Sequence, residues 1–135
     1  MAKLRHIAIT VPDPEAAAAF YEKTFGMQRV GTTDSSIARG IYLSDGTLNM
    51  AILKYKSEKA AGADKGLDYV GVHHFGFWAD DIDEAREKIE ANGGKFMMGP
   101  PVVKGGAFYE MKFTDPNGII FDVNHTGWVG AKRDN

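Results

Sequence analysis

The chain has 135 residues, 44% hydrophobic and 25% charged, with a formal net charge of −2, the balance of an ordinary globular domain. Its Lys and Arg residues are scattered and form no basic stripe, so nothing points to nucleic acid as a partner. The absence of cysteine excludes disulfides, thiolate nucleophiles and Cys-ligated zinc. Near the N-terminus no apolar run is long enough for a signal peptide or a membrane span, and a cytoplasmic protein with no membrane partner is expected.

Residues 4–11 alternate as a strand. Asp13 then reads as an N-cap, with Pro14 at the first helical position and Glu15 in the first turn; the helix runs through the alanines at 16–19 to a stop at Gly26 and is expected to face the sheet. Three strands follow at 27–31, 36–43 and 47–55, the last two joined by a turn at Ser44-Asp45-Gly46. The stretch 56–68, rich in Lys, Ala and Gly, reads as a linker or flap with solvated charges.

The same order then recurs. A strand at 72–79 is followed by a helix at 82–92 capped by Asp80 or Asp81 and ended by Gly93-Gly94. A short strand at 95–98, a break at Pro100-Pro101, a strand at 107–113, the turn Asp115-Pro116-Asn117-Gly118 and a last strand at 119–124 complete the half. The tail 127–135 falls outside the repeat and is expected to fray. The expected fold is α+β, one domain over 1–135, with two tandem βαβββ modules at about 1–56 and 70–128 whose mixed sheet curls around a cleft.

The repeat is most visible in two histidines. His6 and Asp13 lie 68 positions before His74 and Asp81, and Gly26 lies 68 positions before Gly94. Side chains two apart on a strand share a face. Ile7 and Ile9 should therefore meet the first helix while His6, Ala8 and Thr10 face away; Phe75 and Phe77 should meet the second while His74, Gly76 and Trp78 face away. In the last strand, Phe121 and Val123 belong to the core, leaving Asp122 on the histidine side. His6, His74 and Asp122 thus make a candidate divalent-metal site suited to iron, zinc, nickel or manganese; the plainer reading is a histidine pair lining a pocket, with Asp122 bonded locally.

The segments His6-Ile7-Ala8-Ile9 with Asp13 and Phe25-Gly26, His74-Phe75-Gly76-Phe77 with Asp81, and Phe113-Thr114-Asp115-Pro116-Asn117-Gly118 resemble the vicinal oxygen chelate superfamily of glyoxalase I, methylmalonyl-CoA epimerase, extradiol dioxygenases and bleomycin resistance proteins. The resemblance implies a metal ligand on the first and last strands of each module, which implicates His6, His74 and Asp122 and places the fourth at Ala51, where there is no carboxylate. Asn49, on the same strand face, offers an amide oxygen if the register slips. The resemblance further implies a homodimer and a small-molecule substrate chelated through vicinal oxygens, with lyase, isomerase and dioxygenase chemistry all open. The rival it implies is a metal-free protein that sequesters a small molecule, as the bleomycin-resistance branch does.

Other residues have weaker claims. His73 has the wrong parity and reads as structural or surface, and His125 as a turn residue or an acid or base at a pocket mouth. Trp78 and Phe108-Tyr109 are candidates for an apolar wall, and Glu110 is a general base if buried. No glycine loop for phosphate and no serine elbow is present.

Overall fold

The computed structural model describes residues 1–99 and 110–134. Their elements run β1 (Lys3–Thr10), α1 (Pro14–Phe25), β2 (Gln28–Asp34), β3 (Ala38–Ser44), β4 (Asn49–Tyr55), α2 (Glu58–Ala61), β5 (Gly71–Trp78), α3 (Ile82–Ala91), β6 (Lys95–Met98), β7 (Met111–Thr114) and β8 (Ile120–Asn124). Both expected caps form: the Asp13 carboxylate accepts from the amide of Ala16 and that of Asp81 from the amide of Glu84, each satisfying a helix-end donor. The break at Pro100-Pro101 and the pair Phe108-Tyr109 lie outside the described residues. Among the described residues no helix is long and apolar enough to cross a membrane.

One eight-stranded mixed sheet carries the fold, in the order β2-β3-β4-β1-β5-β8-β7-β6. Each half repeats one pattern, its first strand parallel to its last, and the halves meet where β1 and β5 pair antiparallel. That junction sets His6 opposite Gly76 and Ala8 opposite His74, so the duplicated histidines come onto one face of adjacent strands. Among the described residues the sheet ends at β2 and β6 and does not close into a barrel.

The parity of the apolar residues decides the two faces. Ile9, Ile41, Leu43 and Ile52 pack beneath α1 against Ala18, and Phe113, Phe121 and Val123 pack beneath α3 with Ile82. The concave face has a smaller apolar group of its own, Ala8, Ala51 and Leu53 with Tyr42 and Tyr55 beside them. As expected, α1 faces the sheet, through Ala18 with Ala17 and Tyr21. Phe20 and Phe25 are 56% and 68% exposed; Phe20, two residues from Ala18, lies on the opposite side of a helix with 3.6 residues per turn.

The segment read as a linker or flap and the tail expected to fray are both structured. Within 56–68, Ser57 caps α2 and places Ala61, 1% exposed, under the site. The tail does not fray at its start: Trp128 is buried, Val129 O accepts from Asn49 Nδ2 at 2.8 Å, Gly130 O from Ser44 Oγ at 2.7 Å and Lys132 O from Arg5 Nε at 2.8 Å. Backbone and side-chain bonds back to β1, β3 and β4 give the tail the partners that a free end lacks.

The Trp128 ring stacks on His6 with centroids 4.7 Å apart and an interplanar angle of 3°, in space left by Gly76. A methyl group on Gly76 would lie 2.8 Å from the Trp128 ring and 3.3 Å from His6 Cβ. Gly76→Ala is expected to push Trp128 off His6 and to cost about 1–3 kcal/mol, the usual range for overpacking. Urea denaturation would show the loss and a red shift of tryptophan emission the displacement; unchanged values in both would rule out this packing.

Candidate metal centre

β1, β5 and β8 bring His6, His74 and Asp122 together, all three buried and all from one chain. The Nε2 atoms of the two histidines are 3.3 Å apart and His74 Nε2 is 3.2 Å from Asp122 Oδ2. One ligand atom from each residue falls within 4.8 Å of the others.

The partners on the far side of each ring assign the protons. Val129 O only accepts, so the amide nitrogen of Asn49 points to it and Asn49 Oδ1 accepts from His6 Nδ1 at 2.7 Å. The Nε2 of neutral His6 is then a bare lone pair. Ala61 O likewise only accepts, so His73 donates to it from Nε2 at 2.6 Å. Burial pushes the His73 pKa down, which keeps that ring neutral, and its Nδ1 accepts from His74 Nδ1 at 2.9 Å. His74 Nε2 is therefore bare as well. Asp122 Oδ2 is buried without a hydrogen-bond partner.

With both rings neutral, three acceptor atoms converge here, an arrangement that a cation, a proton or a water donor between them relieves. Two imidazole nitrogens and a carboxylate oxygen, each ring fixed by a hydrogen bond behind it, suit a divalent transition metal. The residues present fit the group that the resemblance implies.

Burial is the largest cause lowering the His6 pKa, with neighbouring His74 adding to it, and together they bring it to about 4. Burial opposes ionisation of Asp122, but His74, when its ring carries a second proton on Nε2, and Lys112 outweigh it and hold that carboxyl well below the usual range. Lys112 Nζ lies 2.6 Å from Asp122 Oδ1 because the antiparallel register of β7 and β8 sets the two residues opposite each other. Asp122 is thereby held by one oxygen and presents the other.

A cavity of about 850 Å³ opens on the cluster. Ala51, Leu53, Tyr42 and Trp128 form apolar parts of its wall, while Glu110 and Lys112 bring charge. Trp128 Nε1 donates to Glu110 Oε1 at 2.7 Å. Burial first, then the charge of Asp122, pushes the Glu110 pKa up to about 8.

The strand register locates the missing fourth ligand. Gly76 pairs with Asp122 and Ala8 with Ala51, and Ala8 and Gly76 are equivalent in the repeat, so Ala51 is the counterpart of Asp122. Asn49 pairs with His6 and orients its ring from behind. The structural reading of His73 and the turn reading of His125 hold, and the expectation for Trp78 changes. His73 is the partner that fixes His74. Trp78 does not line the cavity; it packs over Gly127 and donates to the backbone of His125. His125 is exposed and away from the cavity wall. Lys112 and Trp128 were missed; the parity that Lys112 shares with Glu110 was a usable signal, whereas nothing in the sequence ties Trp128 to His6.

The family model described as the Glyoxalase/Bleomycin resistance protein/Dioxygenase superfamily matches residues 3–123. The chain belongs to that superfamily. It is 27% identical over 134 residues to a probable chloroplastic lactoylglutathione lyase of Arabidopsis thaliana, covering 93% of this chain but 36% of that protein's length. With an ethylmalonyl-CoA/methylmalonyl-CoA epimerase of Cereibacter sphaeroides it shares 31% identity over 100 residues, 70% of this chain and 74% of the relative. Among solved structures, a hypothetical protein from Bacillus halodurans superposes with a TM-score of 0.72 at 20% identity over 99% of this chain and 96% of that one. A Streptomyces coelicolor methylmalonyl-CoA epimerase variant in complex with 2-nitronate-propionyl-CoA gives 0.72 at 22% identity over 90% and 94%. At these identities the structures bear on the fold alone.

Folded Glu110 keeps its proton up to about pH 8, whereas an unfolded Glu releases it near 4.5, so the unfolded state binds fewer protons between those values and stability falls as pH rises through them. His6 acts oppositely: its unfolded form protonates near 6.5 and its folded form near 4, so stability falls as pH drops through that window. Above pH 6.5 only the Glu110 slope remains. Metal-free protein is expected to lose stability from there to pH 8, and Glu110→Gln to flatten the decline, as read from urea midpoints; a slope that survives the substitution would refute the assignment.

Proposed function

We propose that the protein is a divalent-metal-dependent enzyme of lyase or isomerase type, acting on a small substrate that chelates the ion through vicinal oxygens. The observation that carries this reading is the convergence of His6 Nε2, His74 Nε2 and Asp122 Oδ2 as three bare acceptors beneath a cavity. The relatives named as lyase and epimerase support it.

His6, His74 and Asp122 would hold the metal, with Asn49, His73 and Lys112 fixing their orientations. When bound, a divalent ion acts there as a Lewis acid, lowering the cost of the negative charge that develops on substrate oxygens when an adjacent C–H is deprotonated. Glu110, in the same cavity, is the group placed to take that proton and return it, and Trp128 Nε1 holds its carboxyl in place. Tyr42, Leu53 and Trp128 exclude water from the wall.

Purified protein is expected to carry one equivalent of iron, zinc, nickel or manganese by elemental analysis, and its melting temperature to rise when one of these is added to the stripped form. His74→Ala should abolish both effects. Absence of stoichiometric metal together with no shift would sink the reading. His73→Phe, which leaves His74 in place but removes its partner, should weaken metal affinity about 10–100-fold, the usual effect of losing a residue behind a ligand; competition with a coloured chelator measures it.

A second reading, metal-free sequestration of a small molecule, is favoured by Ala51 at the fourth position and by the ion pair that Lys112 makes with Asp122. The same elemental analysis separates the two.

A further inference from the structure

We propose that the cavity is built for an anionic chelating ligand, a carboxylate with an adjacent hydroxyl or oxo oxygen, with Lys112 as the residue that sets this preference. The inference rests on the metal reading above and deepens it.

The argument is one of charge. The three candidate ligands would supply a single negative charge, on Asp122, because imidazoles bind a metal in their neutral form and Ala51 occupies the position where a second carboxylate would stand. That one charge is already matched by Lys112, whose ammonium lies 2.6 Å from Asp122 Oδ1. Among the described residues, the other ionisable side chains on the cavity wall are Glu110 and Lys59, and Lys59 at least matches any negative charge on Glu110. A divalent ion on the cluster would keep both of its charges uncompensated beside the apolar wall of Ala51, Leu53 and Tyr42. Unbalanced charge in such surroundings is costly, and a ligand that brings negative charge on its chelating oxygens removes the cost, whereas a neutral dicarbonyl does not. The space beside Ala51 is where those oxygens fit, since no side-chain ligand comes from that strand. Lys112 lines the same cavity and can bond a carboxylate oxygen directly.

The test uses zinc-loaded protein, with zinc content measured before and after calorimetric titration with oxalate, a vicinal-oxygen dianion, and with oxamide, its neutral counterpart of similar shape. Oxalate is expected to bind at least tenfold more tightly with zinc retained. Lys112→Met should reduce that ratio about tenfold while changing oxamide affinity little, and Lys112→Arg should preserve it. Equal binding of the two probes, or removal of zinc by oxalate, would overturn the inference and leave the metal reading standing. An undiminished ratio in a folded, zinc-loaded Lys112→Met variant would overturn the role of Lys112. Failure of the unaltered protein to take up zinc, seen before any probe is added, would overturn the metal reading and this inference with it.

Discussion

The antiparallel pairing of β1 with β5 is the constraint from which the rest of the site follows. It sets His6 opposite Gly76 and Ala8 opposite His74, so two residues far apart in the chain project from neighbouring strands onto one concave face. The small partners matter as much as the histidines. Gly76 leaves room for the Trp128 ring to lie flat against His6, and Ala8 keeps the floor beneath the cluster free of bulk.

Placement alone would not make a metal centre, because an imidazole can present either a proton or a lone pair. The choice is made one layer further out, by groups with no freedom of their own. A backbone carbonyl from the tail fixes the Asn49 amide, which fixes His6; a backbone carbonyl from α2 fixes His73, which fixes His74. Two segments outside the cluster thus orient the candidate ligands, and the tail and α2 belong to the site as much as the strands.

The two modules are alike in their first strands and unlike in their last. Asp122 faces the cluster while its counterpart Ala51 contributes only a methyl group, and the second module alone adds Glu110 and Lys112. Among the described residues, the wall therefore carries Tyr42, Ala51 and Leu53 from the first module and Glu110 and Lys112 from the second.

Much of this was legible in the sequence because it is local. The βαβββ order follows from the period of apolar residues and from the caps Asp13 and Asp81, and strand parity alone puts His6, His74 and Asp122 on the face away from the helices. The position opposite Asp122 resisted the fixed repeat spacing, since 43 positions separate Ala8 from Ala51 but 46 separate Gly76 from Asp122; the resemblance reached Ala51, and only the strand pairing establishes the equivalence. The roles of His73, Asn49, Lys112 and Trp128 were decided by tertiary structure, because each depends on an atom from a distant part of the chain. His73 had the wrong parity for a ligand, and only the placement of Ala61 beneath it turns it into the group that fixes one. Periodicity reports which face a residue takes; which partner waits there depends on how the tail and α2 pack against the sheet, and that the sequence does not spell out.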